Sequence, residues 1–201
     1  MKKLFFILWP LAAASVLHAG PFTVKAGISR ASLVSGYADK PLTGWQLSVS
    51  YEAPLSRTIS LAPELAFVRR GSAGALPDFG TGIANRVTID CLEAPLLLRW
   101  RSGKAAAAVQ PFLYGGGYAA YALAMKSEIE SAGQTWAEDI TTDSRRLDFG
   151  LLVGAGLEFP LLGRTFIFEG RLHQGLNRLN RINYYQDWKT TSLTLLLGMR
   201  L

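Results

Sequence analysis

The feature that most constrains the fold is an alternation of apolar and polar residues along almost the whole chain after residue 20. Successive side chains of a β-strand point to opposite faces, so a period of two predicts strands throughout. The segment FTVKAGIS, for example, places Phe22, Val24 and Ile28 on one face and Lys25 on the other. No part of this region shows the 3.6-residue period of an amphipathic helix.

About eight segments alternate in this way, and each approaches the roughly 9 to 11 residues that a tilted strand needs to cross a bilayer. In the fourth, the apolar positions change parity after Ile89, which predicts a β-bulge between Asp90 and Leu92. The segments are FTVKAGIS, WQLSVSYE, ISLAPELAFVRR, VTIDCLEAPLLLRW, VQPFLYGGGYAAYALAM, LDFGLLVGAGLEF, TFIFEGRLHQGL and SLTLLLGMRL.

The connections between these segments alternate in length. Three are short: APLSRT, RSGKAAAA and PLLGR. The other four are longer and polar, over residues 34–44, 71–86, 126–146 and 177–189. Short turns at one end and long loops at the other are typical of outer-membrane barrels, with the short turns in the periplasm. The sequence therefore predicts an all-β fold, an eight-stranded antiparallel up-and-down transmembrane β-barrel in the cell outer membrane.

Two features indicate that the apolar face points outward. The polar face is rich in glycine and serine, as a narrow interior requires, whereas the apolar face carries aromatic residues near the strand ends, such as Trp45 and Phe159. A soluble barrel, with the apolar face inward, is the alternative. We therefore place the charged residues of the polar face inside the barrel, where buried carboxylates are tolerated only when they are paired with cations.

Eight strands enclose a space that side chains fill, and not an open channel. We therefore expect the inward-facing charges to form a network that plugs the barrel. Its predicted members are Lys25, Glu64, Glu93, Arg99, Glu158, Glu169, Arg171 and Arg200.

The N-terminus has the layout of a secretory signal peptide, with Lys2 and Lys3 ahead of an apolar stretch and small residues. We expect residues 1–19 to be a cleaved signal and residues 20–201 to form the barrel domain. An uncleaved anchor helix is the alternative, but the apolar stretch is short for one. The single cysteine, Cys91, cannot form an internal disulfide.

The strand segments resemble PorT-like outer-membrane β-barrel proteins, known as a "porin family". The most specific pieces are PELAFVRRG (63–71) and LEAPLLLRW (92–100), and VKAG, PFLYGGGY, LDFGLLVGAGLE, EGRLHQGLN and LTLLLGMRL also match. Cys91 and Leu201 stand where an aromatic residue is usual. The resemblance implies an eight-stranded barrel, and the word "porin" does not establish a pore.

Catalytic chemistry is not expected. Outside the predicted signal the only histidine is His173, which shares a strand face with Glu169, and no serine stands at the spacing that barrel lipid deacylases use. A satisfied interior histidine is the simpler interpretation. The sequence shows no metal-ligand spacing and no nucleotide-binding loop, so neither a metal nor a cofactor is expected. A lipid-modifying enzyme remains an alternative, as does a narrow passive channel.

Recognition is expected in the loops, because loops on a rigid scaffold carry function. The last long loop interleaves basic and aromatic residues and is a candidate site for phosphate-rich glycolipid or an acidic partner; a solvated loop above an aromatic belt is the alternative. Its candidate residues are Arg178, Arg181, Tyr184, Tyr185 and Trp188. The third loop carries Glu128, Glu130, Glu138, Asp139 and Asp143, in a spacing that fits no calcium loop.

The expected partners follow from the fold and the charge. The net charge of +6 is scattered along an exported chain, which argues against nucleic acid and favours the acidic groups of outer-membrane lipid or lipopolysaccharide. An unidentified protein or glycan is a further partner at the loops. We expect the last strand, ending at Leu201, to pair with the first, and its alternating end resembles the signal that the barrel-assembly machinery reads.

Overall fold

The computed structural model describes residues 22–34, 40–75, 83–102, 109–131, 133–142, 144–177 and 189–201. The predicted signal peptide, residues 1–19, lies outside this set. Among the described residues no helix is long and apolar enough to cross a membrane. The strands are β1 (Phe22–Val34), β2 (Lys40–Tyr51), β3 (Ala53–Pro54), β4 (Ile59–Ala75), β5 (Ala84–Arg101), β6 (Gln110–Ser131), β7 (Gln134–Asp139), β8 (Leu147–Leu161), β9 (Arg164–Gly175) and β10 (Lys189–Arg200).

Eight of these strands form a closed antiparallel barrel in the order β1, β2, β4, β5, β6, β8, β9, β10 and back to β1. The short β3 continues the register of β2 along β4. The last strand pairs with the first along its whole length, and the N–H of Leu201 donates to the carbonyl oxygen of Phe22 at 2.8 Å. The prediction of a closed eight-stranded barrel is confirmed, and closure leaves no sheet edge in the barrel wall.

The two faces of the barrel wall separate cleanly. Large apolar side chains point outward, as with Leu47, which is 50% exposed, while alternate residues are buried inside. The turn between β8 and β9 consists of Leu162 and Gly163, whose φ angles are 52° and 75°. This two-residue left-handed turn matches the twist of a tight hairpin and lies at the end with the short connections.

The predicted change of parity in β5 is wrong. Val87 and Ile89 are both only 2% exposed and lie on the same inward face as Cys91 and Glu93, so the strand keeps its period of two. The register does shift at Asp90 and Cys91, but the extra residue is Leu123, on β6. Val87 and Ile89 belong to an apolar cluster inside the barrel that also contains Met125. The outward residues that alternate with them, Arg86, Thr88 and Asp90, are polar, so in this part of β5 the apolar face points inward.

The third long connection is also shorter than the sequence indicates. We expected a loop over residues 126–146, but β6 continues to Ser131 and β7 folds back on it as a hairpin beyond the barrel rim. The hairpin carries Glu128, Glu130, Glu138 and Asp139, and hydrogen bonds from Thr141 lower the pKa of Asp139. Likewise, β2, β4 and β5 extend a few residues into the other predicted loops.

Candidate functional site: the barrel interior

The barrel interior holds balanced charge. Within the described part of the chain, six carboxylates face six basic side chains, and most of them are almost fully buried. All eight residues predicted for the network are in this set. Glu52, Arg70, Arg101 and Asp148 join them; Arg70 and Arg101 stand two residues beyond Val68 and Arg99, so continued alternation points to both. The carboxylates are Glu52, Glu64, Glu93, Asp148, Glu158 and Glu169, and the bases are Lys25, Arg70, Arg99, Arg101, Arg171 and Arg200.

Four ions form a cluster at the centre of the interior, which we call the central cluster: Lys25, Glu64, Glu169 and Arg171. The ammonium Nζ of Lys25 lies 2.5 Å from Glu64 Oε2 and 3.0 Å from Glu169 Oε1. Arg171 Nη1 lies 2.8 Å from Glu64 Oε1, and its Nη2 also pairs with Glu169. All four side chains are at most 1% exposed. Such ions are stable only when each is paired and hydrogen-bonded, as they are here.

A second group of ions closes the periplasmic end of the interior. The carboxylate of Glu158 accepts from Arg200 at 2.7 Å, from Arg101 at 2.8 Å and from Arg99 at 3.1 Å. Glu52 accepts from the same three arginines. Arg99 Nη2 also lies 3.5 Å from Glu169 Oε2, which links this group to the central cluster.

A third group lies towards the extracellular end. Glu93 pairs with Arg70, and its Oε1 lies 3.1 Å from His173 Nε2. Nearby, Asp148 accepts from Thr190 at 2.9 Å and from Tyr118 at 3.3 Å. Next to them, a cavity of about 10 Å³, enough for one water molecule, is lined by Arg70, Arg146, Asp148, Thr190 and apolar residues.

One strand supplies aromatic faces to the arginines. Strand β6 has no charged residue from Phe112 to Met125, and its inward side chains include three aromatic residues that we call the aromatic wall: Phe112, Tyr114 and Tyr118. The guanidinium carbon of Arg99 lies 4.2 Å from the ring centre of Phe112, that of Arg171 5.6 Å from Tyr114, and that of Arg70 5.7 Å from Tyr118. Stacking of this kind stabilises a desolvated cation.

The opposite side of the interior is lined by small hydroxyl side chains. Strands β10, β1 and β2 contribute buried serines and threonines that we call the hydroxyl wall: Thr23, Ser29, Ser48, Ser50, Thr190, Ser192 and Thr194. Small side chains leave room for the long arginine, lysine and glutamate chains that meet at the centre. The sequence predicts this wall, because serine and glycine occupy the polar positions of these strands.

The sequence of the barrel strands matches a known family. The model of the outer membrane protein beta-barrel domain family matches residues 21–181, most of the chain. The chain belongs to this family. Because the chain belongs to this family and forms a closed barrel, the protein is located in the outer membrane. The apolar outer face of the barrel is therefore in contact with lipid.

Solved structures of outer-membrane barrels share the fold. A major outer membrane protein from Thermus thermophilus is 13% identical with a TM-score of 0.53, and the match covers 92% of this chain and 100% of that one. OprG from Pseudomonas aeruginosa is 13% identical with a TM-score of 0.50, over 91% and 96%. Ail of Yersinia pestis is 20% identical with a TM-score of 0.47, over 90% and 99%. No curated protein matches the sequence.

The remaining candidates are His173, possible metal ligands and the residues of the loops. His173 is 1% exposed and lies inside the barrel against Glu93, away from the lipid-facing surface. Across the described ranges, no three histidine, cysteine or acidic side chains come together as a metal-ligand set. The loop candidates Arg178, Arg181, Tyr184, Tyr185 and Trp188, and the acidic Asp143, lie outside the described residues.

Proposed function

We propose that this barrel is an occluded, non-catalytic scaffold that presents its extracellular loops to a partner. The observation that carries the proposal is the central cluster, in which Lys25 and Arg171 are the largest of the fully buried side chains and bridge Glu64 and Glu169. Because side chains fill the interior, we assign no transport role to the barrel. Its function then resides on its outer surfaces, and the loops are the variable part of such a scaffold.

The energetics of the central cluster support occlusion. A solute that passed through the barrel would have to separate ions that are desolvated and paired. Removing one partner from a buried ion pair costs about 3 to 5 kcal/mol, and the cluster contains several such pairs. The charge balance also gives a passing ion no net attraction of either sign. These features favour a closed scaffold over a narrow passive channel, which is the second candidate.

The position of His173 supports the non-catalytic part of the proposal. A lipid-modifying barrel must bring its base and nucleophile to the lipid-facing surface, because the ester lies in the membrane. Here the imidazole is buried against Glu93 and beneath Tyr118, whose ring centre is 5.6 Å away. A histidine held in this way acts as an interior hydrogen-bonding group.

The proposed recognition role of the last long loop rests on its basic charge and its aromatic residues. We place recognition at Arg178, Arg181, Tyr184, Tyr185 and Trp188, which suit phosphate-rich glycolipid, lipopolysaccharide or an acidic protein. The finer relationship to PorT-like barrels, based on PELAFVRRG and LEAPLLLRW, belongs to the same proposal. Assembly of the barrel by the barrel-assembly machinery is part of it as well.

Planar-bilayer conductance tests occlusion. We expect the purified protein to give no stable single-channel steps. The variant Lys25→Ala/Glu64→Ala/Glu169→Ala/Arg171→Ala removes two cations and two anions, so it empties the centre at unchanged net charge and should produce small steps. Leu65→Ala, on the lipid-facing side of β4, serves as the control and should stay silent. Stable steps from the unaltered protein would overturn the proposal in favour of the channel.

A further inference from the structure

The outer surface of the barrel carries an apolar groove. It crosses strands β6, β8 and β9 in the periplasmic half and has a volume of about 490 Å³. It lies on the face that this family of barrels turns to lipid. Its outward-facing lining residues include Trp100, Leu113, Ala155, Leu157, Phe168 and Gly170.

The groove exists because two small residues meet in register. Ala155 of β8 pairs with Gly170 of β9, and neither has a side chain beyond Cβ. The next outward row towards the periplasm pairs Leu157 with Phe168, and both side chains protrude, at 42% and 46% exposed. The surface therefore dips by about one side chain between rows of large residues.

We propose that this groove binds an acyl chain of a phospholipid in the periplasmic leaflet, and that Arg164 holds its phosphate. Arg164 is the exposed first residue of β9 and lies on the same outward face as Phe166, Phe168 and Gly170. A guanidinium group matches a phosphate in geometry and charge. The site thus offers an apolar channel for the tail and a cation for the headgroup.

The spacing fits the thickness of a leaflet. Gly170 and Arg164 are six residues apart on one strand, which is about 20 Å at roughly 3.3 Å per residue. With a strand tilt of about 40°, that distance spans about 15 Å of depth. The apolar band of an outer-membrane barrel is about 25 Å tall and half of it is about 12 Å, so Arg164 lies just beyond it, at the headgroup level, when Gly170 lies near the bilayer centre.

The shape favours a lipid tail over a second copy of the barrel. A stable interface between two protein chains buries about 800 Å² on each side with close complementarity. The groove is narrow, and protruding side chains such as Leu113, Leu157 and Phe168 flank it, so a flat barrel wall would rest on its rims. A flexible acyl chain can enter it. Lipopolysaccharide is excluded by position, because it occupies the outer leaflet.

Native mass spectrometry tests this site. The protein is folded into vesicles of phosphatidylethanolamine and phosphatidylglycerol, extracted with mild detergent, and measured for the fraction that retains one phospholipid. Ala155→Leu/Gly170→Leu fills the groove; an added Cβ at Gly170 lies 3.4 Å from Leu195 Cδ2, so the backbone need not move. We expect this variant to reduce the retained fraction at least tenfold. Ala94→Leu, also lipid-facing but outside the groove, should retain lipid as the unaltered chain does.

The headgroup contact is tested separately. Arg164→Gln should keep the bound lipid but lower the preference for phosphatidylglycerol severalfold, whereas Arg57→Gln, in another periplasmic turn, should not change it. Heat-modifiable gel mobility confirms that each variant is folded. Equal lipid retention in all variants, or none in the unaltered chain, would overturn the proposal. Cross-linked dimers that disappear in the filled variant would identify a second copy as the occupant and overturn it too. Conductance is independent of all these outcomes.

Discussion

The two walls of the interior differ in how they hold charge. The aromatic wall of β6 offers ring faces, against which the guanidinium groups of Arg70, Arg99 and Arg171 stack. The hydroxyl wall of β10, β1 and β2 lies across the barrel and offers small side chains and space. The ions meet between them. The difference indicates that the aromatic wall stabilises the network directly, whereas most of the hydroxyl wall makes room for it.

The largest effect is expected for the ions themselves. Glu64→Ala removes the carboxylate that accepts from Lys25 and Arg171, and it leaves both cations buried with Glu169 as their only remaining acid in the central cluster. We expect a loss of about 3 to 5 kcal/mol in the free energy of unfolding. Urea titration of the barrel in phospholipid vesicles measures it.

A surface ion pair provides the matched control for this prediction. Asp90 pairs with Arg69 on the outer face, where the two side chains are 19% and 45% exposed. Asp90→Ala should therefore cost about 1 kcal/mol or less. A cost for Glu64→Ala no larger than that of the control would show that the interior network does not stabilise the barrel.

The sequence is sufficient to predict which residues line most of this interior. The prediction fails where inward-pointing side chains are apolar, because polarity then no longer distinguishes the inner face from the outer face. The eight predicted ions lie on strands with strict alternation, so their inward direction follows from the period alone. At the extracellular end of β5, Val87 and Ile89 are apolar and point inward, and the pattern suggests a change of face that does not occur. Their direction depends on packing against Met125, a contact between different strands.

Contacts between side chains of different strands also cannot be predicted from the sequence. Alternation places Arg99 inside the barrel, but β6 carries small or aromatic residues on both faces, so the sequence does not indicate that Phe112 points inward and stacks on Arg99. Their relative height also depends on the register between β5 and β6. The bulge at Leu123 sets that register towards the extracellular end of β6. The same limit applies to the outer groove, which arises from the pairing of Ala155 with Gly170.

The next largest effect concerns the aromatic wall. Phe112→Leu keeps an apolar side chain of similar size but removes the ring on which Arg99 stacks at 4.2 Å. We expect a cost of about 1 to 2 kcal/mol in the same urea titration, from lost cation–π attraction and imperfect repacking. Leu152→Met, at another fully buried interior site that carries no aromatic ring, is the control and should cost less. Equal costs would mean that only packing matters at this wall.

The smallest effect is expected at Thr194 in the hydroxyl wall, and its contrast with Thr190 in the same wall tests the distinction between the walls most directly. Thr194 is 1% exposed, and its Oγ1 makes no hydrogen bond with any described residue, so Thr194→Val should change the free energy of unfolding by less than about 0.5 kcal/mol or increase it. Thr190, on the same strand and face, donates to Asp148 at 2.9 Å, so Thr190→Val should cost about 1.5 to 3 kcal/mol. The two substitutions remove the same atom. A similar loss at both positions would show that the hydroxyl wall binds the network throughout, and the distinction between the walls would not hold.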